Sequence, residues 1–369
     1  MSKTPLLLTV LRTPATMASL GLAQWDLLLR QAERSDMSAT LLYLAEDDGM
    51  LGQLPAPARE QLEWTRLPAQ RHRQAVAWEV AQITKALAPL GLPVILLKGA
   101  AYDQADLSAA RGRMFSDIDI LVPLERLSEV ESTLMLAGWV STTTDAYDQR
   151  YYREWMHELP PMQHARRQTV IDVHHAILPR TAALKPDPVK LRAAAVPAPG
   201  RQADDRPLYM LSPHDMVLHS AVHLFSDGEF NHGLRDLFDI HRLLIQFGDL
   251  PAFWAGFTAR ARELHLERPL FYALRYATRL LGTPVPSNVM EQAEAGRPNP
   301  LLLGLMDRLF LRGLMPAHPS CADALSGVAH SMLYIRGNWL RMPPLLLTRH
   351  LFHKAFISPR AKTVAAQQA

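Results

Sequence analysis

The chain has 369 residues, 48% of them apolar and 20% charged, which is ordinary globular composition and excludes global disorder. Lys plus Arg number 39 against 36 for Asp plus Glu, so the net charge of +3 excludes a basic coat built to grip long nucleic acid. Cys321 is the only cysteine, which excludes an internal disulfide and any multi-cysteine zinc module.

Residues 5 to about 50 read as short amphipathic helices, from the spacing of Trp25, Leu27, Leu28, Leu29 and Ala32 and then of Leu41, Leu42, Leu44 and Ala45. The early run Leu6-Leu7-Leu8-Thr9-Val10-Leu11 ends at Arg12 and is far short of the roughly 20 residues that span a bilayer. It has no well-placed small-residue cleavage site, so the expectation is a cytoplasmic protein with no membrane span. Gly49, Gly52, Pro55 and Pro57 mark a break. A long helix is then expected from Arg59 to Leu90, with Pro68 as the point of a break.

The pattern changes at Pro93. Val94 to Leu97 is a strand-length apolar run that ends at Lys98-Gly99, and Ala100 to Ala110 reads as a short helix. Ile118 to Val122 is a second strand. Leu124 to Ala137 is helical, with Gly138 where a C-terminal glycine belongs. Further strands are expected at Trp139–Thr144, Tyr151–His157 and Thr169–His174. The stretch 179–211 is rich in Ala and Pro and reads as a connection. Ser212-Pro213-His214-Asp215 is a helix start, and the chain is helical from there, with a frayed tail from Thr363. The expected division is a helical region 1–90, an α/β core 91–178, a connecting segment 179–211 and a helical region 212–369.

The chemistry concentrates in Ser116-Asp117-Ile118-Asp119-Ile120-Leu121-Val122. In a strand, residues two apart share a face, so Asp117 and Asp119 project together. Two adjacent carboxylates repel, and a divalent cation is the economical compensation. Asp172 sits in a second alternating run, Val170-Ile171-Asp172-Val173-His174. Three carboxylates on neighbouring strands suit two Mg²⁺ ions, with Mn²⁺ as the alternative. Upstream, the strand, the Lys98-Gly99 turn and the following helix form a candidate phosphate cradle, with Arg113 as a further cation.

In order, Leu97-Lys98-Gly99-Ala100-Ala101, Arg113-Met114-Phe115-Ser116-Asp117-Ile118-Asp119 and Ile171-Asp172-Val173-His174 resemble the uncharacterised bacterial nucleotidyltransferase family. That family is a branch of the DNA polymerase β-like superfamily. The likeness extends more loosely from Trp25 to Leu244 and includes Leu234-Arg235-Asp236-Leu237-Phe238-Asp239-Ile240. It implies an α+β protein with a small polymerase β-like mixed sheet embedded in a mostly helical body. It further implies Mg²⁺-dependent transfer of a nucleoside monophosphate from an NTP to a hydroxyl-type acceptor, releasing pyrophosphate. Asp117, Asp119 and Asp172 would be the catalytic metal ligands, with Lys98, Gly99, Arg113 and Ser116 on the nucleotide. The superfamily's Gly-Ser turn is Lys98-Gly99 here, so the serine hydroxyl is missing. His174, His219, His223, Arg235 and Asp239 are accessory candidates.

Other readings stay open at this point. Asp117 and Asp119 would be a solvated strand edge, Asp172 the partner of Arg166 or Arg167, and Lys98-Gly99 only a turn. The missing serine hydroxyl keeps open a second reading, a catalytically silent nucleotide- or partner-binding protein on the same fold. Asp215, His219 and His223, at i, i+4 and i+8 of one helix, are the basis for a third reading, a His-based metal hydrolase, with His232 and His241 as extra ligands. The basic segment from Arg341 to Lys362 reads as a solvated amphipathic helix, with an anionic surface as the alternative.

Overall fold

The computed structural model describes residues 4–143, 145–199 and 208–352. The expected tail and the basic residues beyond position 352 lie outside them. Five helices come first: Leu6–Arg12, Leu22–Glu33, Ser38–Asp47, Ala56–Glu63 and Arg66–Leu87. The early leucine run is a core helix, with Leu7, Leu8, Val10 and Leu11 buried. The helix expected over 59–90 is two helices that part at Trp64 and Thr65, before Pro68. Pro68 lies in the first turn of the second, where its missing N–H leaves no helical bond unmade. Among the described residues, no helix is long and apolar enough to cross a membrane.

The centre is a seven-stranded mixed sheet in the order β3-β4-β5-β2-β1-β7-β6. The strands are β1 Ile95–Leu96, β2 Asp117–Leu121, β3 Trp139–Ser141, β4 Met162–His164, β5 Val170–His174, β6 Val196–Pro197 and β7 Tyr209–Met210. β2 runs parallel to β5, and β1 parallel to β7; the other pairs are antiparallel. Gly138 follows the helix Leu127–Leu136 at φ +100°, and a Cβ there would meet His164 Nε2 at 3.0 Å. That turn delivers the chain into β3 and requires glycine.

Two expectations about strands are corrected. Tyr151–His157 is not a strand; Ala146–Trp155 is a helix, capped by the Asp145 carboxylate, which accepts from the Asp148 backbone N–H at 3.0 Å. Tyr147, Tyr151 and Trp155 recur at helical spacing, with Tyr147 and Tyr151 each 6.0 Å from Trp155. That period outweighs the strand preference of aromatic residues. The connection 179–211 also supplies structure: a helix Pro188–Ala193, β6 and β7, the last two completing one edge of the sheet.

After β7 the described chain is helical, beginning with Pro213–Ser226, where Ser212 Oγ accepts from the Asp215 N–H as its sequence foretells. The helices Gly233–Gly248, Glu267–Tyr276, Pro300–Gly313 and Ser326–Arg341 follow among others. Phe225, Tyr272, Tyr276 and Phe310 stack at their centre. Buried side chains from Leu7 to Leu333 join one hydrophobic cluster, so the sheet and its helical surroundings share a core. The architecture is the expected α+β fold, a small mixed sheet in a mostly helical body.

Candidate active site

The carboxylates are positioned by strand pairing. On β2, Ile118 and Ile120 point into the core, and Asp117 and Asp119 take the opposite face. β5 lies parallel beside it, in a register that sets Asp119 directly against Asp172. One oxygen from each of Asp117, Asp119 and Asp172 falls within a 4.8 Å cluster. Asp119 is only 4% exposed, so this is no solvated edge. Arg167 donates to Glu79 at 2.7 and 2.9 Å and is not a partner of Asp172. Asp172 Oδ1 is buried with no hydrogen-bond partner.

Cations and a histidine surround Asp119. Lys98 Nζ donates to its Oδ1 at 2.9 Å, and His174 Nε2 lies 2.8 Å from the same oxygen. Lys98 adopts φ +45° at the start of the helix Lys98–Gln104, a left-handed conformation that costs about 1–2 kcal/mol for a residue with a Cβ. The other ring nitrogen of His174 is 3.3 Å from Glu158 Oε2. An isolated antiparallel bridge between Glu158 and His174 places that carboxylate. His157, Glu158 and His174 form a second close group, which sequence reasoning missed. The adjacent His-Glu pair before two prolines was its only local trace.

The electrostatics follow from burial and neighbours. Burial opposes the charge on Asp119, but the Lys98 ammonium and the His174 ring outweigh it and hold the carboxyl well below its usual range. Burial also opposes a charged Lys98, and Asp119 again prevails and raises its pKa. For His174, Glu158 and Asp119 overcome burial and raise the pKa. Asp172 goes the other way. Burial, then the negative charges of Asp119 and Glu158, push it up to about 7.

This strain on Asp172 has a testable sign. Its folded pKa lies above the ordinary 3.8, so stability falls as pH rises between about 4 and 7. In metal-free protein, Asp172→Asn is expected to stabilise the fold at pH 8 by about 1–3 kcal/mol. The gain should vanish below about pH 4, in urea unfolding with a chelator present. A loss of stability at pH 8 would show that the carboxylate is well solvated or paired.

The remaining candidates divide into those near the carboxylates and those that support them. Ser116 Oγ donates to Asp117 Oδ1 at 3.2 Å. Gly99 packs closely: a Cβ there would meet the Phe115 ring at 2.7 Å and also collide with Arg113. Arg113 is buried, and its Nε donates to Asp239 Oδ2 at 2.7 Å. Its guanidinium lies over the rings of Tyr102 and Phe115. Arg235 pairs with Asp236 at 3.1 Å and reaches the Met114 carbonyl at 3.4 Å. The helix Gly233–Gly248 thereby grips the segment 113–116 that leads into Asp117.

The histidine constellation does not assemble. Asp215 accepts two hydrogen bonds from Arg260, at 2.7 and 2.8 Å, and so turns away from a shared metal face. His219 is buried, which drives its pKa well down. His223 lies 4.0 Å from Asp236, His232 3.0 Å from Asp36, and His241 2.8 Å from Thr283 Oγ1. Among the described residues, no three-ligand group includes His219 or His223.

Three carboxylates on two parallel strands of a small mixed sheet, set in a helical body, define the class: a nucleotidyltransferase-type fold. The model of a family described as uncharacterised nucleotidyltransferase matches residues 22–282, and the chain belongs to that family. The match takes in helices on both sides of the sheet. No curated protein matches the chain.

Proposed function

We propose that the protein transfers a nucleoside monophosphate from an NTP to a hydroxyl acceptor and releases pyrophosphate. The observation that carries this reading is the group Asp117, Asp119 and Asp172, with a buried Asp172 oxygen that has no protein partner. An all-oxygen donor set of this kind fits Mg²⁺, with Mn²⁺ as a substitute. Bound there, the metal would neutralise triphosphate charge and acidify the acceptor hydroxyl.

The chain's own groups supply the rest. As the acceptor oxygen bonds to the α-phosphorus, the bond from that phosphorus to the bridging oxygen breaks and pyrophosphate leaves. The hydroxyl proton passes to the Asp172 carboxylate, which has a buried oxygen with no protein hydrogen-bond partner to compete for it. Lys98 carries a positive charge beside the carboxylates, available to a phosphate oxygen. Gly99 stands where the superfamily has its serine, so this ammonium is the charged group that the turn itself offers. His174 orients Asp119 and is itself flanked by Glu158, an arrangement common behind metal-binding carboxylates. Arg113, Arg235 and Asp239 hold the approach to Asp117 in place.

Calorimetric titration of the four NTPs, with and without Mg²⁺, tests the reading. The expected result is Mg²⁺-dependent binding of at least one NTP by wild type and loss of that binding in Asp117→Ala/Asp119→Ala. Folded wild type that binds no NTP would refute it and favour a silent scaffold.

A further inference from the structure

A cavity of about 800 Å³ opens between the helix Leu22–Glu33 and the helices that meet at Trp64 and Thr65. This is the size of a pocket for one small organic molecule. Its walls are mainly apolar and include Trp25, Leu29, Trp64 and Met114. Trp64 is 73% exposed at its edge, unusual for an indole without a partner surface.

Two features relate the cavity to the segment that leads into Asp117. Met114 is three residues before Asp117, so their Cα atoms are at most about 11 Å apart. Arg235 fixes that stretch through the Met114 carbonyl. Met114 is therefore shared between the wall of the cavity and the segment that leads into Asp117.

The charges on the lining choose the ligand. Asp26 and Arg30 pair and cancel. Glu33 and Asp36 remain as surplus carboxylates on the lining. Asp36 lies 3.0 Å from His232, but burial and then Arg235 lower the pKa of that imidazole, so it brings little charge at neutral pH. Arg235, 3.9 Å from Asp36, is shared with Asp236 at 3.1 Å. An apolar cavity with an exposed indole, on whose lining carboxylates outnumber cations, favours an organic cation, by charge and by cation–π attraction.

We propose that this cavity is the acceptor site, and that the acceptor is a small apolar or aromatic molecule with a protonated amine and a hydroxyl. The amine faces Glu33 and Asp36, and the hydroxyl extends past Met114 toward Asp117. The assignment of the molecule as acceptor rests on the transferase reading above; the binding of an aromatic amine does not.

The probes are phenylalaninol, which has a ring, an amine and a primary hydroxyl, and its uncharged N-acetyl derivative. Saturation-transfer NMR on the full chain should show phenylalaninol binding at least tenfold more tightly than the N-acetyl compound. In Glu33→Gln/Asp36→Asn the ratio should fall to about one; asparagine tolerates the left-handed backbone of position 36, at φ +53°. Trp64→Ala should weaken both probes. Saturating NTP with Mg²⁺ should leave phenylalaninol bound. Equal affinity for the two probes, or no binding of either to folded wild type, overturns the cation site. Displacement of phenylalaninol by NTP overturns the acceptor assignment, because the cavity would then hold the nucleoside. If phenylalaninol binds as expected but no NTP binds, the transferase reading fails and the amine site stands.

Discussion

Asp119→Asn should weaken Mg²⁺-dependent NTP binding by at least about 100-fold and also destabilise the protein by about 3 kcal/mol. Both effects come from one oxygen. Asp119 Oδ1 accepts from Lys98 and contacts His174, and the side chain is almost fully buried. Asparagine keeps the shape but removes the charge that Lys98 needs. The acid limb of the stability profile should change as well. The carboxyl is held well below its usual range, so its contribution is complete above about pH 4 and is lost as pH falls through the depressed value. Urea unfolding of wild type and variant from pH 2 to 8 measures this. Asp119→Asn/Lys98→Met should recover most of the stability while nucleotide binding stays absent. A single variant with wild-type stability and unchanged Mg²⁺-dependent binding would remove Asp119 from the site.

Arg113→Met is expected to cost about 3–5 kcal/mol, the largest stability loss foreseen at any single position here. The guanidinium lies within the protein, ties Asp239 at 2.7 Å and covers two aromatic rings. Removing it strands the Asp239 carboxylate in the interior. That carboxyl is already raised by burial, which outweighs the pull of Arg113. Arg113→Met/Asp239→Leu should restore much of the loss, since replacing both members of a buried pair by apolar groups is often near neutral. Thermal unfolding of the three variants decides the matter. A loss below about 1 kcal/mol in the single variant would mean that the pair is solvated. Arg113 thus holds the approach to Asp117 and packs over Gly99, with its Nε committed to Asp239.

Parts of this site can be read from short stretches of chain. The alternation in Ser116 to Val122 places two carboxylates on one face, and β2 keeps that pattern. The run around Asp172 is likewise a strand of the expected kind. Gly138 and Ser212 act as the helix-end signals that their residue types announce. Each is a local matter, decided by side-chain period or backbone freedom within a few residues. β4, β6 and β7 have only two or three residues each and carry no period of their own. They exist because a neighbouring strand satisfies their backbone groups. The aromatic residues of 147–155 suit a strand or a helix alone; the Asp145 cap and the ring contacts settle it.

The α+β class, the family resemblance and the Asp-x-Asp strand are legible in the chain because they rest on side-chain patterns within short stretches of it. That β5 lies parallel to β2 with Asp172 against Asp119 follows from long-range packing. The same packing brings Glu158 to His174 and Lys98 to Asp119, and pairs Asp215 with Arg260 instead of with a metal and the histidines. The reason is physical. A buried charge has to find a partner, and many arginines and carboxylates in this chain are chemically equivalent until strand register and helix packing bring a particular pair within reach.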